Sequence, residues 1–446
     1  MAPINGPVSL EEAIARALKY NLEHRTRLIQ QVLASDNLQA GHFDMLPRLL
    51  ANAGYATRDN VATRRSLNPS TGTISEIGYV SSDRAHVTGD ISLMWNVLDF
   101  GASYYTSTQN ADQLLIANER RRKAMHILIQ NVRTAYWRAL ASQMIGPRLK
   151  SSIAQGEAAL ADAQKVTAER VKSPTEPLRY RRLLLENLRL LEGVERELSS
   201  ARIELNNLIG LSPGLPIQLA ETELIPPPLN MPITLMEEVA LRQNADLRES
   251  LYNTRIAASE TRKSLLKMLP GISFDYGRKY DGDSYLINQQ WHEAGLRVSF
   301  NLFNLLSGPS RLQAAESNEK VEESRRMALQ MSVLTQVHLA SHQHEDALRQ
   351  YQRADAIYLV DAEMARIVNS QMQANMVSRL DMISAEVTHI LSAVRRYQAI
   401  AKVHESASRV QATLGLEPEI ASLDDTDLIT LQDLIKKSLR QWATAK

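Results

Sequence analysis

The chain has 446 residues, with 51 Lys plus Arg against 50 Asp plus Glu, for a net charge of +1. That balance offers no basic surplus for nucleic acid and no acidic block of the kind that forms a disordered tail. Cysteine is absent, which excludes disulfides, thiolate metal sites, a Cys nucleophile and a lipid-modified N-terminal Cys. No apolar run reaches the roughly 18 residues of a transmembrane helix. The opening, MAPINGPVSLEEA, lacks the basic and apolar regions of a signal peptide, so an exported form has lost its signal. At a mean hydropathy of −0.27, a closed β-barrel is the one membrane-spanning structure compatible with this composition.

The first predicted element is a helix from Leu10 to Met45, started by Ser9 three residues before Glu12, a capping-box spacing, and ended by Leu46-Pro47. A short alternating segment follows, with Leu49, Ala51, Ala53 and Tyr55 on one side, then a polar loop from about Asp59 to Asp83. Ala85 to Leu98 alternates cleanly. Ala85, Val87, Gly89, Ile91, Leu93, Trp95 and Val97 share one face, and His86, Thr88, Asp90, Ser92, Met94 and Asn96 the other. This strand is long enough to cross a bilayer, where about 9–11 tilted residues suffice. Helical pattern then runs from Ser103 to Val171, with a kink expected at Gly146-Pro147, turns at SPTEP and returns from Pro177 to Leu208.

After a Pro-rich linker the same series begins again. Thr234 precedes Glu237 by three residues, a helix runs from Thr234 to Met268, and Leu269-Pro270 ends it. Ile272, Phe274 and Tyr276 alternate, a short loop spans about Tyr280 to Gln290, and Ala294, Leu296, Val298, Phe300 and Leu302 form the apolar face of a second long strand. Helical pattern follows over Ser310 to Asn375 and Met382 to Thr413. From the long strand onward the halves match at a constant offset of 205, pairing Trp95 with Phe300, Asn96 with Asn301, Arg120-Arg121 with Arg325-Arg326, and Gly210 with Gly415. A fixed offset over that length signals an internal repeat.

Helix lengths suggest that each long helix lies beside two shorter ones stacked end to end. Counting residues pairs Pro177–Leu208 with Thr234–Met268, and Met382–Thr413 with Leu10–Met45. The expected divisions are a helix at 1–46, a strand pair at 47–100, a helical hairpin at 101–211 and an equatorial linker at 212–233. The second half follows as a helix at 234–269, a strand pair at 270–304, a hairpin at 305–416 and a C-terminal equatorial segment at 417–446. Four strands cannot close a spanning barrel, whose smallest examples have about eight. The chain must associate to cover its strand edges.

VSLEEAIARALKYN, the Leu-Pro before a strand, the strand ending WNVLDFG, and the second set ITLMEEV with SFNLF resemble the TolC family of outer-membrane efflux proteins over about Val8 to Leu416. The resemblance implies a mainly α fold with a β-barrel part, built from duplicated helical hairpins and four transmembrane strands per protomer. It implies a homotrimer with a twelve-stranded barrel and a helical periplasmic tunnel. Such a trimer is a passive exit duct for drugs or proteins in the outer-membrane lipid. Its partners would be a periplasmic adaptor and an inner-membrane RND or ABC transporter, as in tripartite efflux or type I secretion.

The resemblance places a periplasmic gate at the helix turns. Asp381 and Glu176, related by the offset of 205, are the expected gate carboxylates, Ser384 stands where a second acid is usual, and Arg379 and Arg179 are the nearby cations. The bland reading makes both acids ordinary first-turn carboxylates favoured by the helix dipole. Ser173, Pro174, Thr175 and Ser378 mark the turns an adaptor would meet, and Leu93, Trp95, Val298 and Phe300 the lipid-facing barrel surface. His338 and His342 have metal-ligand spacing, but a packed or solvated helix face fits them better. Arg120-Arg121-Arg122-Lys123 reads as a solvated face. No cofactor motif, phosphate loop or nucleophile–base pair stands out, which leaves an enzyme as the poorest reading. The rival class is a soluble helical-hairpin scaffold or adaptor.

Overall fold

The computed structural model describes residue 4, residues 6–168, 175–221, 231–416 and 426–444. The chain forms two compact units. Unit 1 holds Met1–Gln31, Ala117–Glu249 and Arg326–Lys446, and unit 2 holds Val32–Ile116 and Ser250–Arg325. The elements, in order, are α1 (Leu10–Tyr20), α2 (Leu22–Phe43), β1 (Arg48–Thr57), β2 (Ala62–Arg64), β3 (Tyr79–Ser82), β4 (Ala85–Asn96), α3 (Val97–Ala168), α4 (Thr175–Leu208), α5 (Ile233–Gln243), α6 (Ala245–Leu266), β5 (Gly271–Asp281), β6 (Gln290–Ser299), α7 (Leu302–Gln373), α8 (Arg379–Leu414) and α9 (Leu428–Thr444). Among the described residues, no helix is long and apolar enough to cross a membrane.

Unit 1 is a helical body with its own core. On α1 the buried residues Leu10, Ala13, Ile14, Ala17 and Leu18 recur at three- and four-residue spacing, the signature of one apolar helix face. That face packs with Val132, Tyr136, Trp137 and Leu140 of α3, Leu205 of α4, and Leu431 and Ile435 of α9. Each large side chain buried this way is worth about 1.5–3 kcal/mol. The Tyr136 hydroxyl reaches two carbonyls, Val8 O at 3.0 Å and Ala220 O at 2.5 Å, fixing the linker beside the N-terminus.

The helix starts differ from the expected capping boxes. Ser9 Oγ accepts from Glu12 N at 3.2 Å, but the Glu12 carboxylate turns to Arg16 Nε at 2.8 Å, so half the box forms. Thr234 is not a cap. α5 begins at Ile233 behind Pro232, whose fixed φ suits a helix start, and Glu237 instead meets His338 Nε2 at 2.7 Å. Both strand-to-helix junctions are tighter than expected. Asn96 Oδ1 accepts from Leu98 N at 2.8 Å and Asp99 N at 3.1 Å, and Asn301 Oδ1 accepts from Phe303 N at 3.0 Å. These Asn caps start α3 and α7 at once, so Val97 and Leu302 are helical and Phe300 lies past the end of β6. α3 and α7 each have 72 residues, and α3 continues through Pro147.

The opening helices each break once, at an asparagine. Asn21 is extended (φ −67°, ψ 124°); its Oδ1 accepts from His24 N at 3.1 Å and its Nδ2 donates to Leu208 O at 3.2 Å. Asn244 repeats the arrangement, accepting from Asp246 N at 3.0 Å and Leu247 N at 3.1 Å and donating to Thr413 O at 2.9 Å. One side chain thus restarts one helix and satisfies an orphan carbonyl at the end of another. Beside each Asn the returning helix stops at a left-handed glycine, Gly210 (φ 76°) or Gly415 (φ 72°). Leu211 N bonds Asn206 O at 2.8 Å and Leu416 N bonds Gln411 O at 3.0 Å to close the turns.

These joints correct the stacking expected from helix lengths. α4 meets α1 and α2, and α8 meets α5 and α6, so each return helix joins the opening helix of its own half. The two openers are nearly equal in length, so counting residues could not separate the pairings. The contacts at the Asn joints do. Arg122 belongs to the second joint and is not a solvated residue: it is buried, paired with Glu119, and its Nη2 donates to Gly415 O at 3.1 Å and Gln243 O at 3.4 Å.

Unit 2 carries a four-stranded antiparallel sheet in the order β1-β4-β5-β6. The long loop between β1 and β4 is structured in part, with β2 and β3 forming a small hairpin of their own. Helix segments of this unit are tied by polar contacts: Gln109 Nε2 to Ile256 O at 3.2 Å and to Glu260 at 3.1 Å, Thr261 Oγ1 to Glu319 at 2.8 Å, and Arg255 to Asp112 at 3.0 Å. All three clusters of buried apolar side chains lie in unit 1. In unit 2 only Ile116 and Ala257 are buried hydrophobics among the described residues.

The Gly415 joint gives a direct test. A Cβ there would lie 2.2 Å from Gln243 O, a backbone atom that cannot swing away, in a conformation that L side chains avoid. Gly415→Ala should destabilise by at least about 1–3 kcal/mol. Gly146→Ala, in open space inside α3, should be neutral or stabilising by up to about 1 kcal/mol. Denaturant midpoints of the two variants should move in opposite directions or differ by at least the Gly415 penalty.

Candidate functional site

Two surfaces hold the residues singled out from sequence. The first is the sheet of unit 2. Pairing Leu93 with Leu49 and Tyr276, and Tyr276 with Ala294, fixes one face across all four strands. The same face holds Tyr55, Ile91, Trp95, Ile272, Phe274, Leu296 and Val298, with Arg278 its one formal charge. It is uncovered: Leu49, Leu296 and Val298 are 69%, 73% and 64% exposed. Leu93, Trp95 and Val298 therefore share one apolar face, while Phe300 lies beyond the end of β6.

The opposite face is polar and cross-linked. Asn52 Nδ2 donates to Asp90 at 3.1 Å, Ser92 Oγ to Asp90 at 3.2 Å and Asn96 Nδ2 to Ser273 at 3.0 Å, while Lys279 pairs with Glu293 at 2.8 Å. β1 and β6 are the outer strands, and neither outer edge is paired among the described residues. Unpaired strand edges and a bare apolar face are both unstable in water.

The second surface is the turn between α7 and α8 in unit 1. Asn375 adopts a left-handed φ of 57°, and Met376 N bonds back to Gln371 O at 2.8 Å to end α7. Ser378 then caps α8: its Oγ accepts from Asp381 N at 3.2 Å, while Asp381 Oδ2 accepts from Ser378 N at 3.1 Å and Ser378 Oγ at 2.6 Å. Asp381 is thus an exposed capping residue, and the cap uses one oxygen, with no hydrogen bond to Oδ1 among the described residues. Arg379 Nη1 points to Asp162 Oδ2 of α3 at 3.3 Å rather than to Asp381. Ser384 Oγ accepts from Asn187 Nδ2 of α4 at 3.3 Å. Arg179 lies in the second turn of α4. Ser173 and Pro174 lie outside the described residues. Thr175 and Glu176 open α4, and their side chains also lie outside the description.

Further along the hairpin a polar knot joins α3, α7 and α8. Arg148 makes a fork on Glu386, with Nη2 to Oε2 at 3.1 Å, and its Nη1 lies 2.6 Å from His389 Nε2. His389 stacks on Tyr358 (centroids 5.2 Å apart), and Arg396 covers the same ring while bonding Asp355 at 2.5 Å. Burial, then the Arg148 charge, holds His389 below the usual histidine pKa, so a neutral ring accepts from Arg148. Sequence reading missed this knot, because its members are scattered over three helices.

His338 faces Glu237, His344 is buried against Ser406 Oγ at 3.0 Å, and no group of three His, Cys, Asp or Glu among the described residues could hold an ion. Arg120 and Lys123 pair with Glu249 and Asp246, at 2.7 and 2.8 Å.

The fold is that of solved outer-membrane channels. The CmeC channel of Campylobacter jejuni aligns with a TM-score of 0.70 at 14% identity, over 97% of this chain and 89% of that one. The MtrE channel of Neisseria gonorrhoeae, solved in an open state, gives 0.67 at 15% identity over 93% of each chain. The OprN channel gives 0.69 at 15% identity over 91% of this chain and 89% of that one. No protein-family model matches the sequence, and neither does any curated protein.

The His389 knot predicts acid sensitivity. Its depressed pKa means that an opened form binds a proton more readily than the packed one. Local stability is therefore full above about pH 6.5 and is lost on acidification below it. Hydrogen exchange at the α8 amides around His389, corrected for intrinsic rates, should accelerate between pH 7.5 and pH 5. His389→Leu should flatten that dependence.

Proposed function

We propose that the chain is one protomer of a homotrimeric TolC-type channel, with an internally duplicated architecture, that forms a passive exit duct in the outer membrane. The observation that carries this reading is the sheet: four long antiparallel strands, two open edges, one apolar face and one polar face, both exposed. Joining the edges of three copies gives a closed twelve-stranded barrel. Lipid then covers the row of Leu93, Trp95 and Val298, and water fills a lumen lined by Asp90, Ser92, Lys279 and Glu293. The helical hairpins form the periplasmic tunnel, and an adaptor of an RND or ABC pump meets the turns near Ser173–Thr175 and Ser378. Cargo is drugs, toxic small molecules or secreted protein. The likeness in fold to CmeC, MtrE and OprN, each titled an outer-membrane channel, supports the same reading.

Asp381 and Glu176 are the proposed gate acids, with Ser384 leaving a single ring per turn and Arg379–Asp162 latching α8 to α3. Arg179 is the cation on the α4 side. Because both cap bonds fall on Oδ2 of Asp381, its Oδ1 lets one residue cap its helix and present charge to a tunnel axis.

Two tests separate a channel from a soluble scaffold and a gate acid from a simple cap. Leu93→Arg or Val298→Arg puts a cation on the lipid face, costing about 2–4 kcal/mol near the midplane. Detergent-extracted, heat-resistant trimer should fall sharply. Ser92→Arg and Ser299→Arg on the polar face should assemble. Equal damage on both faces, or full solubility without detergent, favours the scaffold. Asp381→Asn keeps an acceptor for the cap while removing the charge. Block of single-channel current by multivalent cations should disappear; unchanged block reduces Asp381 to a cap.

A further inference from the structure

The core of unit 1 contains a cation that neither the duct nor the gate uses. Arg133 of α3 is 2% exposed, its Nη1 donates to Ser408 Oγ of α8 at 2.6 Å, and its Nε has no hydrogen-bond partner. The Ser408 hydroxyl itself donates to His404 O at 2.9 Å, so it has no proton left to offer. No carboxylate among the described residues forms an ion pair with Arg133. Burial lowers its pKa to about 10, which still leaves it charged at neutral pH. A buried charge without a counter-charge is costly by several kcal/mol even after relaxation.

A small, partly open cavity of about 20 Å³ sits against this guanidinium, lined also by His126, Gln411 and Ser438. His126, two turns before Arg133 on α3, is 7% exposed and its Nε2 is also without a partner. Burial, then the charges of Arg122 and Arg133, lowers its pKa to about 4, so it is a neutral ring with one N–H. Arg122 is already balanced by Glu119.

We propose that this cavity holds one small monovalent anion of chloride size. Arg133 supplies the counter-charge, and the His126 ring, the Gln411 amide and the Ser438 hydroxyl supply donors. The volume decides the class, since about 10–15 Å³ accommodates a single water. A halide fits this volume. A water molecule would satisfy donors while leaving the charge uncompensated. The site ties α3, α8 and α9 at one point, so its occupancy contributes to the stability of unit 1.

The full chain, purified in detergent, provides the test. Crystals grown in sodium bromide should show an anomalous peak beside Arg133 Nε and His126. At constant ionic strength, replacing gluconate by chloride or bromide should raise the unfolding midpoint by a few degrees, and the rise should grow with the logarithm of halide concentration. Arg133→Met should abolish the halide dependence; if that variant does not fold, Gln411→Leu, which keeps the charge, should shift it to higher halide concentration. The proposal is overturned by a bromide map empty at this cavity together with equal midpoints in gluconate and chloride. It is equally overturned if Glu417→Gln or Glu419→Gln is needed to create a halide effect, since a carboxylate of the chain would then be the occupant.

Discussion

Every place where a helix stops or a strand lies at an edge leaves backbone donors and acceptors that something has to satisfy. Unit 1 meets this demand from within. Asn21 and Asn244 each take an amide of the restarting helix and give a proton to the last carbonyls of a returning one, while Gly210 and Gly415 turn the chain so closely that a side chain would collide. Arg122 adds two more bonds to the Gly415 joint. Unit 2 does the opposite. Its helix starts are capped by Asn96 and Asn301, but β1 and β6 leave their outer edges unpaired among the described residues. The partner those edges need is, in the proposed trimer, the same sheet of another copy.

The apolar side chains divide along the same line. In unit 1 they form three buried clusters, whereas on the sheet of unit 2 they stand exposed in rows opposite a hydrogen-bonded polar face. An alternating strand cannot bury one face against a core that is not there. At about 25 cal/mol per Å² of apolar surface, leaving these rows in water would cost more than a marginally stable fold can spare. Lipid on one side and a water-filled lumen on the other suit the two faces without any change in the strands. The polar ties among the unit 2 helices, such as Gln109–Glu260 and Thr261–Glu319, hold elements in place without a core.

Much of this was readable from the sequence, because alternation and helical periodicity report directly on which faces are buried. The two long strands β4 and β6 and the two long helices came from that signal. β1 and β5, read as short alternating segments, proved about as long as their partners, and Phe300, expected in the apolar row, lies past the end of β6. Helix pairing did not come from that signal, since length is a scalar and the two opening helices are nearly equal; only the side-chain contacts of Asn21 and Asn244 choose between them. The breaks at those residues were hidden by continuous periodicity on either side. Arg122 looked like one of four solvated basic residues, and nothing local distinguishes the member that turns inward to Glu119 and Gly415. Arg133, His126 and the Arg148–Glu386–His389 knot were invisible for a related reason. Their partners lie hundreds of positions away, on helices whose rotation about their axes sets which residues meet.

In the proposed channel the α8 cap would let one side chain hold a structural role and a functional one. A first-turn acid that closes a capping box is ordinary, and its presence alone says nothing about ions. In Asp381 both cap bonds converge on Oδ2, from Ser378 N and Ser378 Oγ, so the carboxylate is held rigid while its other oxygen faces away from the cap. A charge held in fixed geometry pays little entropy to bind a cation or to repel its symmetry mates. Arg379, a nearby guanidinium, is engaged by Asp162 on α3 rather than by that oxygen. In a trimer the local cap would define where three negative oxygens meet, and the α3 contact would define how far α8 can swing. The same short segment, from the left-handed Asn375 to Asp381, ends the hairpin and, in the proposed channel, would set the electrostatics of whatever passes it.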